Sequence, residues 1–332
     1  MKIRLLKNVR HNGHVLTLLS LMVLVALIML ILNPGSYFTS RNLRSMLYQF
    51  PEYGILAFGM MLAMAAGGID LSLVGIMNLS GVTAALLLTK VFPSETAGSA
   101  VAILSAVIAA LLVGALCGAL NGFVIGYFRL PAMLVTLCTL QLFTGLVYGL
   151  TGGPAINGMS SAFTSIANGV IPGTRLPWVL PIFLLVMAAV LWFSKCTVPG
   201  HEIYYLGSGP KAAAFSGIHT LRTTVTTYLV SGILGGISGI LITSHLNSAK
   251  STNGSSYTLL SILIVVLGGV DPNGGKGSVG GVTLAVLLMQ MISNAFTIMH
   301  VSQDAKNFAN GALLVLTLLV TQLIRRRAEK KA

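Results

Sequence analysis

The groups able to do chemistry are few, and most stand beside the long apolar runs of the chain rather than inside them. The seven acids are Glu52, Asp70, Glu95, Glu202, Asp271, Asp304 and Glu329, and each falls at an expected span end or in a connecting stretch. A carrier driven by an ion gradient keeps ionisable groups at mid-depth, where each costs roughly 2.5 to 3.5 kcal/mol to insert. Their placement at the edges therefore points to energy supplied by a partner. The six histidines, His11, His14, His201, His219, His245 and His300, are scattered near span ends, where solvated imidazoles are usual, and none has metal-ligand spacing. The string Gly274-Gly275-Lys276-Gly277-Ser278 imitates a phosphate loop. However, Gly277 stands where a Mg²⁺-binding hydroxyl is required, and Asp271 stands where the opening glycine belongs. It reads as a tight turn with a membrane-surface lysine. Cys117, Cys138 and Cys196 make no CxxC pair. No catalytic residue, metal site or cofactor is assigned.

Neutral polar side chains are better organised. Gln141, Thr144, Tyr148 and Thr151 recur at helical spacing, as do Thr283, Gln290, Asn294 and Thr297, so each set shares one face. Hydroxyls and amides suit an uncharged, hydrogen-bonding solute, and they also serve as bonds between helices. Gln141, Thr144, Tyr148, Gln290 and Asn294 are candidates to line a solute pathway.

The elements that hold them are membrane helices. Only 8% of the 332 residues are charged and 55% are hydrophobic, the composition of an all-α polytopic membrane protein. Ten apolar runs are candidate spans: 15–32, 50–66, 72–90, 99–127, 132–151, 177–194, 222–245, 256–269, 278–299 and 306–324. The first follows Lys2, Arg4, Lys7 and Arg10 and precedes Asn33-Pro34-Gly35, a poor cleavage site, so it reads as a retained helix. With both termini in the cytoplasm, six of the 20 Lys and Arg residues face outward: Arg41, Arg44, Lys90, Arg175, Lys250 and Lys306. The rest face inward, in keeping with retention of positive charge on the cytoplasmic side. The formal charge of +13 then belongs to topology rather than to nucleic acid.

Two spans read as short. Tyr53 to Ala66 and Ser256 to Gly269, at about 1.5 Å per residue, each cover about 21 Å of a core about 30 Å thick. Each runs into a Gly-Gly-aliphatic-Asp string, Gly67 to Asp70 and Gly268 to Asp271. Irregular backbone at that depth belongs beside a cavity, which adds Asp70 and Ser72 to the pathway candidates. Gly114, Gly118, Gly122 and Gly126 share a face of the fourth span, and Gly232 and Gly236 share one in the seventh. Close intramolecular helix packing is the expected use. The interruption at 195–222 is the longest charged stretch between apolar runs. It turns at Pro199-Gly200 and again from Gly207 to Pro210, and it offers Lys211 to Phe215 as a short helix stopped by Gly217. On the cytoplasmic side it is either a handle for a water-side partner or a plain solvated loop.

Several strings together resemble the permease subunits of bacterial ATP-driven sugar importers of the ribose and autoinducer-2 type. They are Gly68-Ile69-Asp70-Leu71-Ser72, Asn121-Gly122, Pro131 with Thr136-Leu137 and Thr139-Leu140, the loop from Thr197 to Ile218, and Val266 to Gly269 with Gly274 to Gly277. The resemblance runs over nearly the whole chain, 1–332 as one transmembrane domain. It implies about ten transmembrane helices, a second permease subunit of the same or a homologous chain, cytoplasmic ATP-binding subunits, and a periplasmic solute-binding protein. It would make Gly200 to Ile218 the coupling helix, with Gly200, Tyr204, Gly207, Ala212 and Gly217 at the ATPase contact. The chain departs from many relatives at His201, Gly209 and Val74. The segments 161–172, 206–210 and 248–251 look more like the second autoinducer-2 permease. A stand-alone secondary transporter or channel is the alternative reading.

Overall fold

The computed structural model describes residues 2–92, 96–174 and 176–329, so Glu95, Arg175, Lys330 and Lys331 lie outside the described residues. Helices come in the order α1 (Lys2–Leu32), α2 (Pro34–Tyr37), α3 (Ser40–Ala65), α4 (Leu73–Leu86), α5 (Ala100–Phe128), α6 (Ala132–Thr151) and α7 (Ser161–Asn168). They continue with α8 (Val179–Cys196), α9 (Val198–Ser208), α10 (Pro210–Phe215), α11 (Thr220–Leu246), α12 (Tyr257–Leu267), α13 (Val279–Ile298) and α14 (Gln303–Glu329). The fold is all-α. The strands among the described residues are β1 (Ile156–Asn157) and β2 (Ser248–Ala249), which pair antiparallel. Among the described residues, seven helical segments are long and apolar enough to cross a membrane: Val15–Leu32, Leu73–Val91 (α4 with the π-helical turn Leu87–Val91 that continues it), Ala100–Phe128, Ala132–Thr151, Val179–Cys196, Thr220–Leu246 and Val279–Ile298. The protein is a multi-pass membrane protein. The other three expected spans fall in α3, α12 and α14.

Local chemistry sets the helix ends. The hydroxyls of Thr39, Ser99, Ser160, Thr197 and Ser278 each accept a backbone N–H in the first turn of α3, α5, α7, α9 and α13, satisfying donors a helix leaves orphaned. Gly152, at φ +68°, stops α6 in the left-handed conformation that glycine enters without a Cβ clash.

Helix α3 is the axis of the chain. Every residue from Phe50 to Ala65 is buried, so this part of α3 is enclosed on all sides, and Glu52 is the one ionisable carboxylate within it. Around it pack α8, α12 and α13, while α4, α5, α7 and β2 share a second core. This corrects one expectation. The first short span is the buried end of a 26-residue helix that begins at Ser40, and Pro51 is accommodated inside it. The polar residues between Ser40 and Gln49 read as an aqueous segment, yet they continue the helix. The second short span is short in the structure, since α12 has 11 residues.

Helix α11 lies between α4 and α5 and meets both through glycine. A Cβ on Gly114 would overlap the Gly232 carbonyl, one on Gly118 the Tyr228 carbonyl, and one on Gly122 would lie 2.6 Å from Val225 Cα. Gly126 faces Leu221, Gly236 approaches the Ala110 carbonyl, and Gly235 and Gly239 face Ile76 and Met77 of α4. Backbones this close make dispersion contacts that larger residues would prevent.

Candidate functional site

Three backbone turns converge where α3 ends, α9 ends and α12 passes into α13. Helix α3 closes with Gly67 N–H on Met64 O at 2.9 Å and Gly68 N–H on Ala63 O at 3.0 Å. Helix α12 closes the same way, with Gly269 N–H on Val266 O at 3.0 Å and Val270 N–H on Val265 O at 3.2 Å. Gly67 and Gly269 carry the left-handed φ of this cap, +89° and +82°. The two Gly-Gly-aliphatic-Asp strings are thus one residue out of structural register, because Gly67 corresponds to Gly269 rather than to Gly268. Gly207, on the last turn of α9, is wedged between these turns. A Cβ there would overlap the Ala65 carbonyl, and a Cβ on Gly274 would lie 2.8 Å from both Gly207 Cα and Gly67 Cα. Gly275 N–H donates to that same Ala65 carbonyl at 2.9 Å.

The 195–222 stretch is more helical than its sequence suggested. Pro199 and Gly200 open α9 rather than making a turn; Pro199 sits in the first turn, where its missing N–H costs nothing, and Gly200 N–H donates to Thr197 Oγ1 at 3.1 Å. Helix α10 spans Pro210–Phe215, and Gly217, at φ +84°, lies just past its end. Tyr204 faces the core and burial pushes its hydroxyl pKa up, against a hydrogen bond with Ser194 that lowers it. Glu202 accepts from Thr223 Oγ1 at 2.9 Å, tying α9 to α11. On the open side, Tyr205, Ser208, Gly209, Ala212, Ala213, Ser216 and Ile218 line a shallow groove, and Phe215 stands 93% exposed.

Behind the junction lies a buried polar cluster. Asp70 Oδ1 accepts from Ser72 N–H at 3.1 Å and Ser72 Oγ at 2.6 Å, and Oδ2 accepts from Ser231 Oγ at 3.0 Å. Asn121 Nδ2 donates to Ser72 Oγ at 2.7 Å. Burial pushes the Asp70 carboxyl above its ordinary pKa, while these hydrogen bonds pull it down. Asp70 and Ser72 are fully buried, so in this conformation they anchor the start of α4 and face no open path.

Residues 42–318 match the family described as the branched-chain amino acid transport system / permease component. The chain belongs to this permease family. The ribose import permease protein RbsC of Bacillus subtilis is 33% identical over 305 residues, which cover 91% of this chain and 90% of that one. That of Haemophilus influenzae is 31% identical over 307 residues, with the same coverage. The autoinducer 2 import system permease protein LsrD of Escherichia coli K12 is 30% identical over 285 residues, or 84% of this chain and 83% of that one.

The permease does not gather the polar pathway candidates into one site. Gln141 and Tyr148 stand exposed on the outer face of α6, Tyr148 at 60%, with Thr144 half-buried beside them and bonded to Leu140 O at 2.7 Å. Gln290 and Asn294 point inward from α13, buried, and Asn294 Nδ2 has no hydrogen-bond partner among the described residues. Gln290 accepts a short hydrogen bond from Tyr53 and donates to Gln49 Oε1 at 3.3 Å.

The acids are where the sequence reading needs its main correction. Glu52, near the start of the expected span 50–66, lies midway along the longer helix α3 and is 3% exposed, buried rather than solvated. Its carboxylate meets His245 Nδ1 in a short contact and accepts from Tyr257 OH at 3.2 Å. His245 is accordingly a partner inside the protein rather than a solvated imidazole. The spacing of Gln49, Glu52 and Tyr53, at i, i+3 and i+4, places the three on one helical face but carries no sign of His245, which lies on another helix. The polar residues before Glu52 concealed the helix.

Proposed function

We propose that the permease is a transmembrane subunit of an ATP-driven importer that carries a neutral sugar or sugar-like solute, of the ribose or autoinducer-2 class, across the bacterial inner membrane. Residues 1–332 act as one transmembrane domain with both termini in the cytoplasm. Separate ATP-binding subunits hydrolyse ATP, a second permease chain completes the pore, and a periplasmic protein delivers the solute. The stretch 195–222 is the cytoplasmic coupling loop, and α9 and α10 dock into the ATP-binding subunit through Tyr205, Ala212 and Phe215. The outward polar face of α6, with Gln141, Thr144 and Tyr148, lines the path where the two permease chains meet. Covalent chemistry has no part in this mechanism.

The observation that carries this reading is the wedge of Gly207 between the ends of α3 and α12. With no side chain at the contact, a push on α9 and α10 reaches the buried axis of the chain directly through backbone. The test is uptake by vesicles holding the permease with co-expressed ATP-binding subunits and binding protein. Phe215→Ala is expected to weaken retention of the ATP-binding subunit and lower uptake about tenfold, in the range of an exposed aromatic anchor. Unchanged retention and uptake would count against it.

The buried Glu52 and His245 pair lends one observation to a second reading, an ion-driven carrier. Uptake by the purified permease alone, driven by an ion gradient without ATP, would establish that reading in place of the first.

A further inference from the structure

Helix α12 is joined to α3 at both of its own ends. At one end the Ala65 carbonyl of α3 accepts the Gly275 N–H from the turn that follows α12. At the other, Glu52 of α3 receives the hydroxyl of Tyr257, the first residue of α12. The two joints are 13 residues apart on α3, about 20 Å at the helical rise. Helix α11 joins at the same level, through His245 on the Glu52 carboxylate and Ser238 Oγ on the Glu52 carbonyl at 2.8 Å. A carboxylate buried this completely is expensive unless it is paired and hydrogen-bonded, as Glu52 is.

We infer that Glu52 is a positioning residue for transport: it braces the far ends of α11 and α12 to α3, so that movement begun at Gly207 reaches the opposite side of the membrane. This rests on the importer reading. Without the brace, the segment of α3 from Glu52 to Ala65 would move without carrying the far ends of α11 and α12. ATP hydrolysis, which depends only on the coupling end, would continue while uptake fell.

The experiment measures solute taken up per ATP hydrolysed by the reconstituted importer carrying Glu52→Gln, Tyr257→Phe or His245→Gln. A second measurement follows a cysteine at Thr252, in the exposed loop before α12, in a background where Cys117, Cys138 and Cys196 are serine. An impermeant maleimide reports its accessibility with and without ATP. Glu52→Gln is expected to lower solute per ATP about tenfold and Tyr257→Phe about threefold, within the span seen for coupling residues that touch no ligand. Hydrolysis should stay near wild type, and ATP should no longer change labelling at position 252. A purely structural Glu52 would lower hydrolysis and uptake together, and that result overturns the inference, as does an unchanged ratio with unchanged labelling. If Glu52→Gln fails to fold, Tyr257→Phe decides by the same two readouts. If the wild-type assembly shows no ATP-dependent uptake, the importer reading itself fails, a result separate from either of these.

Discussion

Asp70 shows how much a single buried carboxylate can organise. Three donors from two residues converge on it, and the amide of Asn121 supports one of them, so the start of α4, the middle of α5 and the middle of α11 are fixed relative to each other. Asp70→Asn keeps the shape but turns an acceptor towards donors. It is expected to destabilise the permease by about 1 to 3 kcal/mol, the usual cost of a buried unmatched polar group, read as a lower unfolding temperature in detergent. An unchanged temperature would mean that the cluster tolerates a donor there. The sequence showed Asp70 as a break in a helix but could not show its role. Its partner Ser231 lies 161 residues away on α11, and nothing in a local pattern signals such a bond. Glu52 was missed for the same reason, its partner His245 being 193 residues distant.

Glycine content is a better guide at the scale of elements, provided spacing is combined with what faces it. Gly118 is in the α5–α11 contact, whereas Gly149 of α6 has nothing among the described residues within 4 Å of where its Cβ would be. Gly118→Ala is expected to destabilise by about 1 to 3 kcal/mol, because two backbones must part to admit a methyl group. Gly149→Ala should be neutral or stabilising by up to about 1 kcal/mol, since alanine is the better helix former. Thermal unfolding of the two variants side by side checks the contrast, and equal losses would refute it. The four-residue period on α5 made such a face readable in advance. The true length of α3 was not readable, because its polar first half has the composition of a loop and only tertiary packing shows it to be helix.

For the molecule as a whole, an uneven surface carries the information. Most of the outward side chains of α5 and α6 are aliphatic or aromatic, as lipid contact requires, so Gln141 and Tyr148 stand out against them. If that face lines the solute path, Gln141→Ala and Tyr148→Phe will lower uptake several-fold while leaving the unfolding temperature unchanged, since neither residue holds the chain together. A fall in stability without a fall in uptake would assign them to lipid or to packing instead. The class of fold was legible from composition and hydropathy alone, because twenty-residue apolar runs have few other uses. Which polar groups face inward was not, because helical periodicity specifies a shared face without saying what lies opposite it.

The rim that joins β1 to β2 is built differently from either site. Ile156 pairs with Ala249 and Asn157 with Ser248 through the main chain, and nearby Ser244 accepts from Ala167 N–H at 3.0 Å and donates to Phe163 O at 2.8 Å. Since the strand pairing there is written in amides that every residue but proline supplies, mutation can rework the side chains around this seam without unstitching it.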